Sequence, residues 1–169
     1  MTKIKNGYIF LYKVEDKIGL IQIINKTSVG YNVRVFYDLI NTYEEINDIL
    51  NSDRYYFIKN FYTFDLLKAN DILSCKINKS IKMPILMRTC EWNKNDKLIW
   101  YVINVKKRKV IKQYDIYHEE LKDLSPEETW GIEYIIRLWK ENFTLKNWND
   151  LSIKWFTNWK TEVISNENI

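Results

Sequence analysis

The residues able to do acid–base, nucleophilic or metal chemistry in this chain are few and scattered. It has one histidine, His118, and two cysteines, Cys75 and Cys90. A Ser-His-Asp or Cys-His device would have to use His118, within Tyr117-His118-Glu119-Glu120. That stretch is polar and adjoins a helix start, which marks His118 as a surface or capping residue. One histidine and two distant cysteines cannot build a zinc site without carboxylates. Gly7, Gly19, Gly30 and Gly131 are dispersed, so no glycine-rich loop can cradle a phosphate. Cys75 and Cys90 read as small core residues on neighbouring strands.

Four acid pairs remain: Glu15/Asp16, Glu44/Glu45, Glu119/Glu120 and Glu127/Glu128. Glycosidases need two carboxylates facing one cleft, and two-metal nucleases need several beside a lysine. Glu15-Asp16-Lys17 has the Glu-x-Lys spacing of a nuclease strand, but it falls where a turn is expected. The other pairs sit at helix starts, where acids already stabilise the positive end of the dipole. Lys106, Lys107, Arg108 and Lys109, with Lys112, could contact nucleic-acid phosphates while Tyr114 stacks on a base. The same residues suit a solvated hairpin tip guarding apolar strands, and this second account is favoured.

Composition narrows the class further. The chain has 169 residues and a net charge of +4, and it is 46% hydrophobic and 28% charged, which excludes disorder and dedicated DNA-coating. A chain this long can bury roughly 68–70% of its unfolded surface without a disulfide or metal. Mean hydropathy is −0.39, and no apolar run approaches the roughly 18 residues of a membrane span. The stretch before Lys13 is too short in apolar residues for a signal peptide. Two ordinary thiols without a Cys-x-x-Cys motif fit a reduced, cytoplasmic chain with no cofactor and no membrane partner. The 12 Tyr, 7 Trp and 7 Phe exceed what a core of this size requires, so some are expected at an interface.

The elements that must position these residues follow from periodicity. Gly7–Val14, Gly19–Ile24 and Val29–Tyr37 read as three sequential strands, with turns at Glu15-Asp16-Lys17 and Asn25–Ser28. Thr42-Tyr43-Glu44-Glu45 is a capping box opening a short helix that buries Ile46, Ile49 and Leu50. Arg54–Phe64 reads as a strand with Tyr56, Ile58 and Phe61 inward. Further strands are expected at Ile72–Ile77, Ile85–Cys90, Leu98–Val105 and Val110–Tyr117. Ser125-Pro126-Glu127-Glu128 predicts the start of a long helix, with Ser125 as N-cap and Pro126 in the first turn. A tail from 143 to 169 carries Trp148, Leu151, Trp155 and Trp159 at helical spacing and is expected to dock on a domain spanning 1–142.

Segment 5–37, with Gly7-Tyr8-Ile9-Phe10, Tyr12, Leu20-Ile21-Gln22-Ile23 and Val33-Arg34-Val35-Phe36-Tyr37, resembles the immunity protein 26 family of bacterial polymorphic-toxin systems. Met83-Pro84-Ile85-Leu86-Met87-Arg88 and Trp100-Tyr101-Val102-Ile103 resemble it as well. The likeness covers about the first two-thirds of the chain and ends before Ser125. It implies an antidote that binds a protein toxin encoded at the same locus, and it carries no catalytic residues.

The sequence therefore predicts an α+β fold: a curved antiparallel sheet or partial SH3-like barrel, with a short inserted helix and a long C-terminal helix packed on it. Its expected function is non-enzymatic binding and occlusion of a toxin across an aromatic-centred interface of about 1,600 Å². Tyr12, Glu44, Glu45, Asp48, Trp148, Trp155 and Trp159 are the candidate partner contacts, and a second copy of the chain is a further partner. The alternative is a nucleic-acid-binding module using Lys106, Lys107, Arg108, Lys109 and Lys112.

Overall fold

The computed structural model describes residues 4–75, 81–95, 97–127 and 130–147. Strands β1 (Ile9–Val14), β2 (Lys17–Lys26) and β3 (Tyr31–Phe36) form the expected meander. A short helix α1 (Ile46–Asn51) follows, then β4 (Tyr55–Phe61), a single turn α2 (Thr63–Leu66) and β5 (Asp71–Leu73). These strands make an antiparallel sheet in the order β4-β3-β2-β1-β5. A second antiparallel sheet holds β6 (Leu86–Trp92), β7 (Leu98–Asn104) and β8 (Lys109–Tyr114) in sequence order. Helix α3 (Ile132–Lys140) comes last. The fold is α+β, with two open antiparallel sheets.

Alternation along β1 explains the packing. Phe10, Tyr12 and Val14 face one side, and Ile9 and Leu11 face the other. The first side joins Ile21, Ile23, Val33, Val35, Tyr56 and Ile58 in the main core. That core also receives Trp100 and Val102 from β7 and Ile132, Ile135, Leu138 and Trp139 from α3. The second side meets Leu20, Phe36, Ile40 and Ile46, with Ile49 and Leu50 of α1 packed against them. Both faces of the large sheet are covered, which is why β1 is buried at five of its six positions.

Three expectations are corrected. Ser125-Pro126 does not open a helix. The Ser125 carbonyl accepts from the Arg88 amide at 2.9 Å, and the Glu127 amide donates to the Arg88 carbonyl at 2.8 Å. Ser125 Oγ accepts from the Phe57 amide at 3.1 Å. This extended segment satisfies edge groups of β4 and β6 together, and those tertiary bonds outweigh the local helix signal. Helix α3 instead begins after Gly131 and spans nine residues, so it is shorter than expected. The cysteines do not share neighbouring strands: Cys90 lies on β6 against the main core, and Cys75 follows β5 against the second cluster.

A buried arginine links the parts. Arg88 is fully buried, and Nη1 donates to the Leu121 carbonyl and to Tyr117 Oη, while Nη2 donates to the Leu145 carbonyl. Phe143 is buried in the main core and Leu145 packs on it, so the chain stays attached beyond Asn142. The Trp-rich stretch with Trp148, Trp155 and Trp159 lies outside the described residues.

Candidate partner-binding cleft

A cleft of about 820 Å³ runs between the large sheet and the β7–β8 hairpin. One wall is the β2–β3 turn. Thr27 Oγ1 accepts from the Val29 and Gly30 amides at 3.3 and 3.1 Å, a hydroxyl turn that holds Val29 out with 59% of its surface exposed. Gly30 lies directly under β4, where an added Cβ would sit 2.4 Å from the Phe61 carbonyl oxygen. The opposite wall holds Met83, Pro84 and Ile85, tied to the hairpin by the Val105 amide donating to the Ile85 carbonyl at 2.9 Å. Ile85 is 59% exposed and Val110 of β8 is 49% exposed, so the cleft is open and carries exposed apolar side chains among polar ones.

The rim is cationic. Lys106 and Arg108 line the cleft at the hairpin turn, where Arg108 adopts a φ of 51° and Asn104 Oδ1 accepts from the Lys107 amide. Lys106, Lys107, Arg108 and Lys109 are all exposed, and no ion pair engages them among the described residues. Lys59 also lines the cleft, but its Nζ is held by Glu127 at 2.8 Å. Lys112 does not join the set. It lies across from Val102, and its Nζ binds Glu120 at 2.6 Å. Tyr114 donates to the same Glu120 and stacks on His118, with ring centroids 4.5 Å apart. Hydrogen bonds from Lys112 and Tyr114 hold the Glu120 carboxyl below its usual range. His118 caps a 3₁₀ turn, its Nδ1 accepting from the Glu120 amide at 3.2 Å.

The other expected contacts are dispersed. Tyr12 is 2% exposed and cannot meet a partner directly. It lies on the same face of β1 as Phe10 and Val14, and its hydroxyl donates to the Asp65 carbonyl at 3.1 Å. Burial first, and then the Asp65 charge, push its phenol well above the usual range. Glu44 and Asp48 are exposed near α1. The Glu45 carboxylate turns back to accept from the Asn41 and Thr42 amides at 3.0 and 2.9 Å, completing the capping box. None of these three acids lines the cleft.

Each of the other three acid pairs has a member engaged by a cation, Lys59 for Glu127 and Lys112 for Glu120 among them. Glu15 sits in the β1–β2 turn with a φ of 60° and pairs with Lys140 at 3.1 Å, so the Glu-x-Lys motif starts in a turn and only its Lys17 enters β2. Glu119 pairs with Lys122 at 2.5 Å. Among the described residues, no three His, Cys, Asp or Glu side chains converge on a point that could hold a metal. No helix among them is long and apolar enough to cross a membrane.

Sequence reasoning missed Val29, Ile85 and Val110 as a group. Each reads alone as the end of a strand, and only the approach of the two sheets brings them together. Searches against protein-family models, curated proteins and solved structures return no match for this chain.

Proposed function

We propose that this chain is a non-enzymatic antidote that occludes a bacterial protein toxin, and that the cleft between its sheets is the docking surface. The observation that carries the proposal is a set of exposed apolar side chains, Val29, Ile85 and Val110, beneath a basic rim of Lys106 and Arg108 that has no ion pair among the described residues. Apolar anchors under a charged rim suit protein recognition, where buried side chains give affinity and surrounding charge gives orientation. The rim selects an acidic partner surface. The likeness of segment 5–37 to immunity protein 26 supports the same assignment and names a toxin as the partner class. A cytoplasmic location accords with that role.

The test is rescue of growth by co-expression with the toxin encoded at the same locus. Wild type should rescue, and Ile85→Asp with Val110→Asp should abolish rescue while circular dichroism stays unchanged. Lys106→Glu with Arg108→Glu should slow association more than it speeds dissociation. Unchanged rescue by all four substitutions together would refute the cleft. If the chain instead binds oligonucleotides with an affinity that falls steeply with salt and is lost in those charge reversals, the basic hairpin serves nucleic acid and the antidote proposal fails.

A further inference from the structure

A second pocket, of about 290 Å³, lies where the end of α1 meets β3 and β4. It shares no lining residue with the cleft. One of the residues lining it is Arg34, which is only 3% exposed. Its guanidinium is fixed from several directions. Nε donates to Gln22 Oε1 at 2.7 Å, and Nη2 donates to the Leu50 carbonyl at 3.1 Å. Gln22 is itself buried, and its Nε2 donates to the Gly7 carbonyl, which leaves its oxygen for Arg34. The rings of Phe36 and Tyr55 flank the cation at 4.6 and 4.9 Å.

None of its hydrogen-bond acceptors is a carboxylate, and no carboxylate pairs with Arg34 among the described residues. A guanidinium has five N–H donors; Gln22 and the Leu50 carbonyl take two, and the Tyr55 side chain takes a further hydrogen bond, so the fork is not saturated. Burial lowers the pKa of this arginine, as expected of a cation removed from water, although Tyr55 and Cys75 oppose the shift. At the pocket mouth, Asp53 and Lys82 are exposed and of opposite sign. Buried charges in proteins are normally paired.

We infer that this pocket binds one small free oxyanion, a carboxylate or a phosphate, on the preformed fork of Arg34. The planar donors suit bidentate capture of such a group. The volume is at the lower limit for ligand pockets, which restricts the occupant to a short dicarboxylate or a small phosphate. The site is independent of the antidote assignment, because it shares no residue with the cleft.

Thermal melts with inorganic phosphate and with succinate, each against sodium chloride at matched ionic strength, test the inference. A saturable rise in melting temperature, with a midpoint near ~1 mM, is expected for at least one of them. The responsive anion tells a phosphate site from a carboxylate site. Arg34→Met should weaken the response at least tenfold, and Arg34→Lys should recover part of it. Lys82→Gln, at the exposed mouth, should weaken it without altering the fold. If Arg34→Met does not fold, amide shifts in the wild type decide: perturbation centred on Arg34, Asn51 and Tyr55 supports the site. No response beyond chloride, or a response indifferent to Arg34 and Lys82, overturns it.

Discussion

Buried phenols tie this protein's stability to alkaline pH. Tyr12, Tyr37 and Tyr56 have raised pKa values, and in each burial is the first cause. Tyr37 stacks on Tyr56 at 5.3 Å and is pushed up to about 12, although the Leu145 amide donating to its oxygen opposes the rise. The folded state therefore holds a proton that the unfolded chain releases near pH 10. Stability should be level below pH 10 and fall as pH rises towards about 12. For Tyr37 alone the displacement from 10 to about 12 is worth up to about 3 kcal/mol. Urea midpoints measured across that range, with tyrosinate absorbance followed in parallel, check this. Ionisation of all 12 tyrosines near pH 10 in a still-folded protein would contradict it. Residue type alone was misleading here: Tyr12 carries the polar tip of an interface residue, yet its place in β1 commits it to the core. The burial of Arg34 and Arg88 had no sequence signal, because nothing in a single sequence distinguishes a buried guanidinium from a solvated one.

Elements were legible where local signals and tertiary packing agree. The three-strand meander, the Glu15-Asp16 turn and the Thr42–Glu45 capping box all stand where period and turn chemistry place them. The Ser125-Pro126 signal failed because β4 and β6 offered that segment better backbone partners. Strand β8 shows a device that alternation cannot reveal: a register shift between Val102 and Ile103 separates Val110 from Lys112. With Lys109 and Lys112 along it, this bulged edge resists pairing with another sheet. Helix α3 makes one especially close approach to the large sheet. A Cβ on Gly19 would lie 2.5 Å from the Trp139 ring, which is itself pinned by Nε1 donating to the Phe36 carbonyl at 2.7 Å. Gly19→Ala should therefore cost about 1–3 kcal/mol, read as a lowered urea midpoint with an unchanged slope. Gly131→Ala, whose methyl would meet nothing closer than 3.6 Å, is the control and should cost much less. Equal losses in the two variants would mean that Trp139 can swing aside.

At the scale of the molecule, the two sheets are not separable units. Trp100 and Val102 of the small sheet share one core with Phe10, Ile21 and Val35 of the large sheet and with Ile135 and Leu138 of α3. The segment from Ser125 to Glu127 adds bonds to both sheets: Arg88 on one side, Phe57 and Lys59 on the other. A shared core of this kind predicts a single cooperative unfolding transition. Tryptophan fluorescence reports Trp100, Trp130 and Trp139 in the core, and far-ultraviolet dichroism reports both sheets. The two curves should superimpose, and the calorimetric and van't Hoff enthalpies should agree. Two separate transitions would show that the small sheet opens alone. The proposed docking cleft would then lose one wall before the fold is lost, because Val29 stands on one sheet's turn and Val110 on the other sheet's edge strand. Rigid coupling of the sheets is therefore a condition for binding through this cleft, and the same melting experiment examines both.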